Sequence, residues 1–81
     1  MTDNLATYKK AFMDSFDSLD GDTVFESLAY ETILEWDSVG HMGLMAELEE
    51  AFHIEMSMDD VIDFSSFEKG KDVLLRYDIV V

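Results

Sequence analysis

Apolar side chains near the start of the chain follow the spacing of an amphipathic helix. Steps of three or four residues separate Leu5, Tyr8, Phe12, Phe16 and Leu19. Because residues three and four apart share one face of a helix, the pattern predicts a helix over residues 3–19 with one buried face. Thr2 or Asp3 can cap its start, and Asp20-Gly21-Asp22 is predicted to end it.

The following segment, residues 22–36, fits neither the helical nor the strand pattern. Its apolar side chains are Val24, Phe25, Leu28, Ile33, Leu34 and Trp36. We predict a long loop that contains a short helical turn and is anchored by several of these side chains. A loop of this length in a small domain is often functional.

A second helix is predicted to start at Trp36-Asp37-Ser38 and to run to about Phe52. Its core face gathers Leu44, Met45, Leu48, Ala51 and Phe52. A smaller apolar patch lies beside Ser38 and comprises Val39, Met42 and Ala46. Acidic side chains border that patch at Glu47, Glu49 and Glu50.

Two shorter helices complete the predicted fold. Ser57 precedes a short helix over residues 59–63 that is expected to bury Val61 and Ile62. Ser65 and Ser66 open a last helix over residues 66–77, whose inward side chains are Phe67, Val73, Leu74 and Tyr77. The apolar end of the tail after it is expected to fold back. The sequence therefore predicts one all-α domain over residues 1–81, a small four-helix bundle of three main helices and one short one with a long first loop.

The composition excludes several classes of partner. Five Lys and Arg against 19 Asp and Glu give a formal net charge of −14, which disfavours nucleic acid and anionic membrane surfaces. No apolar stretch approaches the length of a membrane helix, and the polar N-terminal sequence has no signal-peptide core. We expect a monomeric protein of the cytoplasm.

The sequence offers little for catalysis or metal binding. It has no Cys and two His, with no recognisable catalytic triad or zinc motif. His41 falls on the core face of the second helix and His53 near its end, and both are predicted to be structural. An EF-hand loop centred on Gly21 fails, because Phe16 would occupy a position that needs an oxygen ligand and Ser27 one that needs a bidentate Glu.

Ser38 is the strongest candidate for chemistry. It follows Asp37 at the start of a helix, where free backbone N–H groups and the helix dipole favour a phosphate ester. Its hydroxyl is suited to phosphorylation or phosphopantetheinylation. The alternative from the residues alone is an ordinary helix cap, since Asp and Ser both cap well.

The longer run from Trp36 to Phe52 resembles the second helix of acyl carrier proteins. In that family an Asp-Ser-Leu signature carries 4′-phosphopantetheine on the Ser, and the helix closes on a run similar to Leu48-Glu49-Glu50-Ala51-Phe52. The resemblance follows the family's order and spacing along the whole chain, strongly over residues 36–68 and weakly before them. It implies that Ser38 is the attachment site, that Asp37 helps to position the metal-bound cofactor of the modifying enzyme, and that the protein is a tether rather than an enzyme.

Departures from the family pattern bear on the type of carrier. Val39 replaces the usual Leu, Gly40 and Gly43 stand where fatty-acid carriers often have acids, and Ser57 replaces a common Pro. The Trp36-Asp37-Ser38 sequence is more similar to stand-alone carriers of polyketide, aminoacyl or surface-polysaccharide pathways than to the carrier of bulk fatty-acid synthesis.

The resemblance also implies partners. These are a phosphopantetheinyl transferase, an acyl- or aminoacyl-loading enzyme, and a downstream synthase or transferase with basic patches. The residues expected to meet them are Val39, Met42, Ala46, Glu47, Glu49 and Glu50. Whether the cargo is sheltered inside the bundle depends on how loosely Leu44, Leu48, Phe64 and Leu74 pack.

Two other functions stay open from the sequence. One is an acidic helical module that binds a basic partner through the Met42 patch and carries no modification. The other is a small hydrolase in which His41 serves Ser38 as a base, although its position on the helix directs it toward the core.

Overall fold

A computed structural model describes residues 3–81, which form an all-α fold. Its four α-helices are α1 (Asn4–Ser15), α2 (Ser38–Phe52), α3 (Met58–Asp63) and α4 (Phe67–Leu75). Among the described residues there is no strand, and an isolated bridge pairs Ala29 with Ser66. This confirms the predicted bundle of three longer helices and one short helix.

Helix α1 is shorter than predicted. The Asp3 carboxylate caps its start by accepting hydrogen bonds from the backbone N–H groups of Leu5 and Ala6, at 3.0 and 3.3 Å. Thr2, the other predicted cap, lies outside the described residues. The prediction that the helix reaches residue 19 is wrong, because it ends at Ser15 and Phe16 is extended. Phe16 stays buried and Leu19 half-buried, so the apolar spacing continues where the helix does not.

The loop between α1 and α2 contains the predicted helical turn, a 3₁₀ turn at Phe25–Ser27. Phe25, Leu28 and Trp36 anchor it in the core, whereas Val24 and Leu34 are exposed. Backbone hydrogen bonds attach the loop to the segment before α4. The Tyr30 N–H donates to the Ser65 carbonyl and the Phe67 N–H donates to the Leu28 carbonyl, each at 2.9 Å. The loop is therefore a fixed part of the fold.

Aromatic rings from α1, from the loop before α2 and from the chain around the start of α4 meet in the core. The fully buried aromatic residues are Tyr8, Phe12, Phe16, Trp36, Phe64 and Phe67. The Tyr8 hydroxyl donates to the Phe67 carbonyl at 2.7 Å, which joins α1 to α4. Burial raises the pKa of the Tyr8 hydroxyl far above its usual value, so the group stays a neutral donor.

The core face of α2 agrees with prediction except at one residue. Leu44, Met45 and Leu48 are buried and Phe52 is half-buried. The prediction for Ala51 is wrong, since this residue is exposed. It lies in a groove that α1 lines with the polar side chains of Thr7, Lys10 and Asp14 beside the small Ala11. His53 ends α2 in a left-handed conformation with φ of 56°.

Helices α3 and α4 differ from the predicted ranges by one or two residues. The Ser57 and Ser66 hydroxyls cap them, accepting from the N–H groups of Asp60 and Lys69 at 3.2 and 2.9 Å. Val61 is half-buried as predicted, but Ile62 is 70% exposed, so the expectation that it is buried is wrong. In a helix of six residues the buried stripe has little length, and tertiary contacts decide which side faces inward.

Polar contacts hold α3 against the end of α4. The Asp60 carboxylate accepts hydrogen bonds from the Tyr77 hydroxyl and the Arg76 guanidinium, and Arg76 also reaches Asp63 at 3.1 Å. The Tyr77 and Arg76 hydrogen bonds lower the pKa of Asp60. The tail folds back as expected, with Ile79 and Val81 half-buried against the core.

Candidate functional site

The candidate site centres on the first turn of α2. Asp37 is the residue before the helix, and its carboxylate accepts a hydrogen bond from the Gly40 N–H at 2.8 Å. Ser38 is the first helical residue and is exposed. Because the Asp37 carboxylate makes the cap, the Ser38 hydroxyl is not used for that purpose. It projects from the end of a helix where backbone N–H groups favour a bound anion.

The loop before Ser38 lies directly on α2. A Cβ atom added at Gly40 would stand 1.9 Å from the Glu35 carbonyl oxygen and 3.1 Å from the Phe16 ring, so only glycine permits this approach. The Glu35 side chain turns the other way and accepts a hydrogen bond from the Ser18 N–H at 3.2 Å. The Glu35 backbone thus packs against α2, and its side chain binds Ser18, three residues after the end of α1.

A tight turn brings the chain from the loop into the helix. The Glu31 N–H donates to the Trp36 carbonyl at 2.8 Å, and Glu31 has a φ of 66°, in the left-handed region that favours glycine. Such backbone strain is retained where surrounding contacts fix it. Here the fully buried Trp36 ring supplies that constraint two residues before Ser38.

Both ring nitrogens of His41 are hydrogen-bonded. The Trp36 indole N–H donates to Nδ1 at 2.9 Å, and Nε2 lies 2.8 Å from the Val61 carbonyl. An indole nitrogen can only donate, so Nδ1 is the acceptor and the proton sits on Nε2, which donates to Val61. This confirms the predicted packing role. In this arrangement neither nitrogen can take a proton from Ser38.

A pocket of about 420 Å³ opens between α2 and α3, with Ser38 on its rim. It is lined mainly by apolar side chains. The other lining residues are Tyr30, His41, Met42, Met58, Val61, Ile62, Phe64 and Ser65. Leu44, Leu48 and Leu74 are fully buried in the core and do not line this pocket, whereas the fully buried Phe64 does.

Exposed apolar side chains lie along this pocket and beside the start of α2. Val39 and Met42 are 79% and 56% exposed, in agreement with the predicted patch. Met58 and Ile62 of α3 line the same pocket and are exposed to a similar extent. Leu34 is 98% exposed and, with Asp37, lines a shallower hollow on the loop side of the α2 start. We call these five residues the apolar rim.

Sequence reasoning missed three members of the apolar rim. The sequence did not predict the exposure of Met58 and Ile62 at this site, because the orientation of α3 depends on its contacts with α4. The sequence shows Leu34 only as one of several apolar residues in a loop. Most of the others are buried against the core, so nothing in the pattern distinguished Leu34 as exposed.

The remaining residues predicted to bind partners lie around other parts of α2. Ala46 is exposed. Glu47 and Glu50 line the groove between α1 and α2 with Lys10, away from the pocket beside Ser38. Glu49 is half-buried and accepts a hydrogen bond from the Met56 N–H at 2.9 Å, so it holds the segment between α2 and α3. A role for these acids in partner binding stays a prediction.

No group of three or more His, Asp or Glu side chains within residues 3–81 is placed to hold a metal ion. In the same part of the chain no helix has the length and apolar character needed to cross a bilayer.

Comparison of the chain with models of known protein families, with curated proteins and with solved structures finds no match.

Proposed function

We propose that the chain is a carrier protein that holds acyl or aminoacyl groups on a 4′-phosphopantetheine arm attached to Ser38. The observation that carries the proposal is the setting of Ser38. Ser38 is exposed at the first position of a 15-residue helix and lies on the rim of an apolar pocket. Its hydroxyl does not cap the helix, because the Asp37 carboxylate does so. The resemblance of residues 36–52 to the modified helix of acyl carrier proteins supports the same assignment.

The residues around Ser38 fit such an arm. A phosphodiester on the Ser38 oxygen would carry a negative charge at the end of α2 that the helix dipole stabilises. The apolar pocket beside it offers a surface for the less polar parts of an attached group. When bound, the arm supplies a thiol that forms a thioester with the cargo. The chain has no Cys and so has no thiol of its own.

The surface around Ser38 suits transient binding of enzymes. The apolar rim supplies contact area, and two of its members are Met residues, whose flexible side chains adapt to different partners. The net charge of −14 draws partners with basic surfaces and makes their association rates depend on salt. The partners we propose are the transferase that attaches the arm, a loading enzyme and a downstream synthase or transferase. We also propose that they belong to a specialised pathway rather than to bulk fatty-acid synthesis.

The test is covalent loading. The protein is incubated with coenzyme A and a broad-specificity phosphopantetheinyl transferase, and its intact mass is measured. We expect a gain of one phosphopantetheine for the wild type and none for Ser38→Ala. The matched control is Ser57→Ala, which removes another exposed Ser at a helix start and should load normally. A wild type that gains nothing while folded contradicts the proposal, as does a Ser38→Ala variant that is still loaded.

A second function is favoured by the exposed apolar rim alone. Contiguous apolar side chains on the surface of a small protein mark interaction sites, and an acidic module that binds a basic partner needs no modification. Under this alternative the mass of the wild type does not change in the loading reaction. Binding of partners would then be lost on Met42→Glu but retained by Ser38→Ala.

A further inference from the structure

His41 joins three segments that surround Ser38. It belongs to α2, it accepts a hydrogen bond from Trp36 in the preceding loop, and it donates one to Val61 in α3. The imidazole and indole rings are nearly parallel, with an interplanar angle of 17° and centroids 6.2 Å apart. The Tyr30 ring meets the imidazole edge-on at 5.5 Å. The side chain is thus held by two hydrogen bonds and by an aromatic contact with Tyr30.

The bond to α3 uses a carbonyl that the helix itself leaves unpaired. Val61 lies in the last turn of α3, where carbonyl groups have no partner within the helix. The N–H that would reach it in a longer helix belongs to Ser65, and this group donates to the Asp63 carbonyl instead. His41 satisfies the Val61 carbonyl from outside and so acts as a side-chain cap for α3.

Helix α3 depends on such attachments. A helix of six residues is unstable alone, and its stability comes from tertiary contacts. Asp60 ties α3 to Arg76 and Tyr77 on the side of α4. His41 ties it to α2 at the pocket that Ser38, Met58 and Ile62 also line.

We propose that His41 is a positioning residue that fixes the loop and α3 around Ser38, so that a partner enzyme meets one preformed surface. The inference rests on the proposed carrier function. A surface that is ordered before binding costs less free energy to dock than one that must be ordered by its partner. Loss of the two hydrogen bonds weakens docking and leaves Asp37 and Ser38 on α2 in place. The effect should therefore fall on KM for modification of Ser38 and not on kcat.

The first test compares His41→Phe with the wild type. Phenylalanine keeps a flat ring but offers neither a donor nor an acceptor. We expect KM of the carrier for the phosphopantetheinyl transferase to rise roughly 25-fold, a factor of about five for each of the two lost hydrogen bonds, with kcat within about twofold. The indole N–H of Trp36, the one Trp in the chain, should exchange with solvent faster. The matched control is His53→Asn, which changes the other His and should leave all three quantities unaltered.

A second measurement needs no variant. In the wild type with nitrogen-15-labelled His, long-range proton–nitrogen correlation should show His41 with the proton on Nε2 and a bare Nδ1. The opposite tautomer overturns the proposal, as does a His41→Phe variant with unchanged KM and unchanged exchange at Trp36. A fall in kcat at constant KM overturns it too, because His41 would then act on the chemistry. If the wild type is not loaded at all, the carrier function fails, whereas the tautomer and the Trp36 exchange still decide whether His41 joins the segments.

Discussion

Two glycines in the same helix are expected to respond to alanine in opposite directions. At Gly40 a Cβ atom would stand 1.9 Å from the Glu35 carbonyl oxygen, whereas at Gly43 it would meet nothing within 4 Å. Alanine is more stable than glycine inside a helix, and both variants gain this stability in α2. They differ only in whether the new Cβ atom meets the loop. Gly43→Ala is therefore the matched control for Gly40→Ala.

The size of the effect follows from the geometry. Real Cβ contacts are essentially never shorter than 3.0 Å, so the loop carbonyl at Glu35 must retreat by about 1.1 Å from its position 1.9 Å away. The Phe16 ring behind the new atom is fully buried and cannot swing into solvent. Overpacking of this kind lowers the free energy of unfolding by about 1–3 kcal/mol. The preference of a helix for alanine over glycine offsets roughly 0.5–1 kcal/mol of that loss. We expect Gly40→Ala to lower the free energy of unfolding by up to about 2.5 kcal/mol relative to wild type, and by about 1–3 kcal/mol relative to Gly43→Ala, which shares the helical gain.

Gly43→Ala should raise the free energy of unfolding by about 0.5–1 kcal/mol, since it has the helical gain without the clash. Urea unfolding followed by Trp36 fluorescence and by far-ultraviolet circular dichroism measures both variants. Trp36 is a fully buried probe at the loop itself. If Gly40→Ala were as stable as Gly43→Ala, the loop would not lie on α2 as described, and the argument for how Ser38 is positioned would fail.

Three further changes test other parts of the fold. Asp60→Asn should cost about 1 kcal/mol of unfolding free energy at pH 7 by weakening the contacts to Tyr77 and Arg76. Because the fold lowers the pKa of Asp60, this carboxylate stabilises the fold fully above its unfolded pKa of 3.8 and ceases to do so as the pH falls through its folded pKa. The difference in unfolding free energy between Asp60→Asn and wild type should therefore vanish in acid. A difference that grew on acidification would contradict this sign. His53→Gly should stabilise the protein by about 0.5–1 kcal/mol in thermal unfolding, since His53 ends α2 at a φ of 56°, and a lower melting temperature would show that its side chain contributes more than the backbone strain. Added NaCl should raise the melting temperature by screening a net charge of −14, and a flat profile from low to moderate ionic strength would count against that repulsion.

The fold class could be predicted from the sequence because local signals agree with one another. Apolar spacing located the helices, and Asp3, Asp37, Ser57 and Ser66 cap them in the structure. The end of α1 was missed for a physical reason. Apolar spacing reports which side chains are buried, and Phe16 remains buried after the backbone has left the helix.

The candidate site was predictable only where one helix forms it. Ser38 and the exposed Val39 and Met42 lie on α2, so their arrangement follows from helical geometry. The second wall of the pocket depends on α3, whose orientation is set by Asp60 with Arg76, 16 residues away. The spacing of apolar residues within a six-residue helix does not specify such a contact. This is why the prediction that Ile62 is buried was wrong.

The most direct test of the account is the location of the arm on the chain. After loading by the transferase, the protein is digested and the peptide that carries Trp36, Asp37 and Ser38 is fragmented in the mass spectrometer. We expect one phosphopantetheine on Ser38 and none on the helix-capping Ser57 or Ser66. An arm found on another residue, or none on a folded wild type, would contradict the claim that the exposed hydroxyl at the start of α2 is the attachment site.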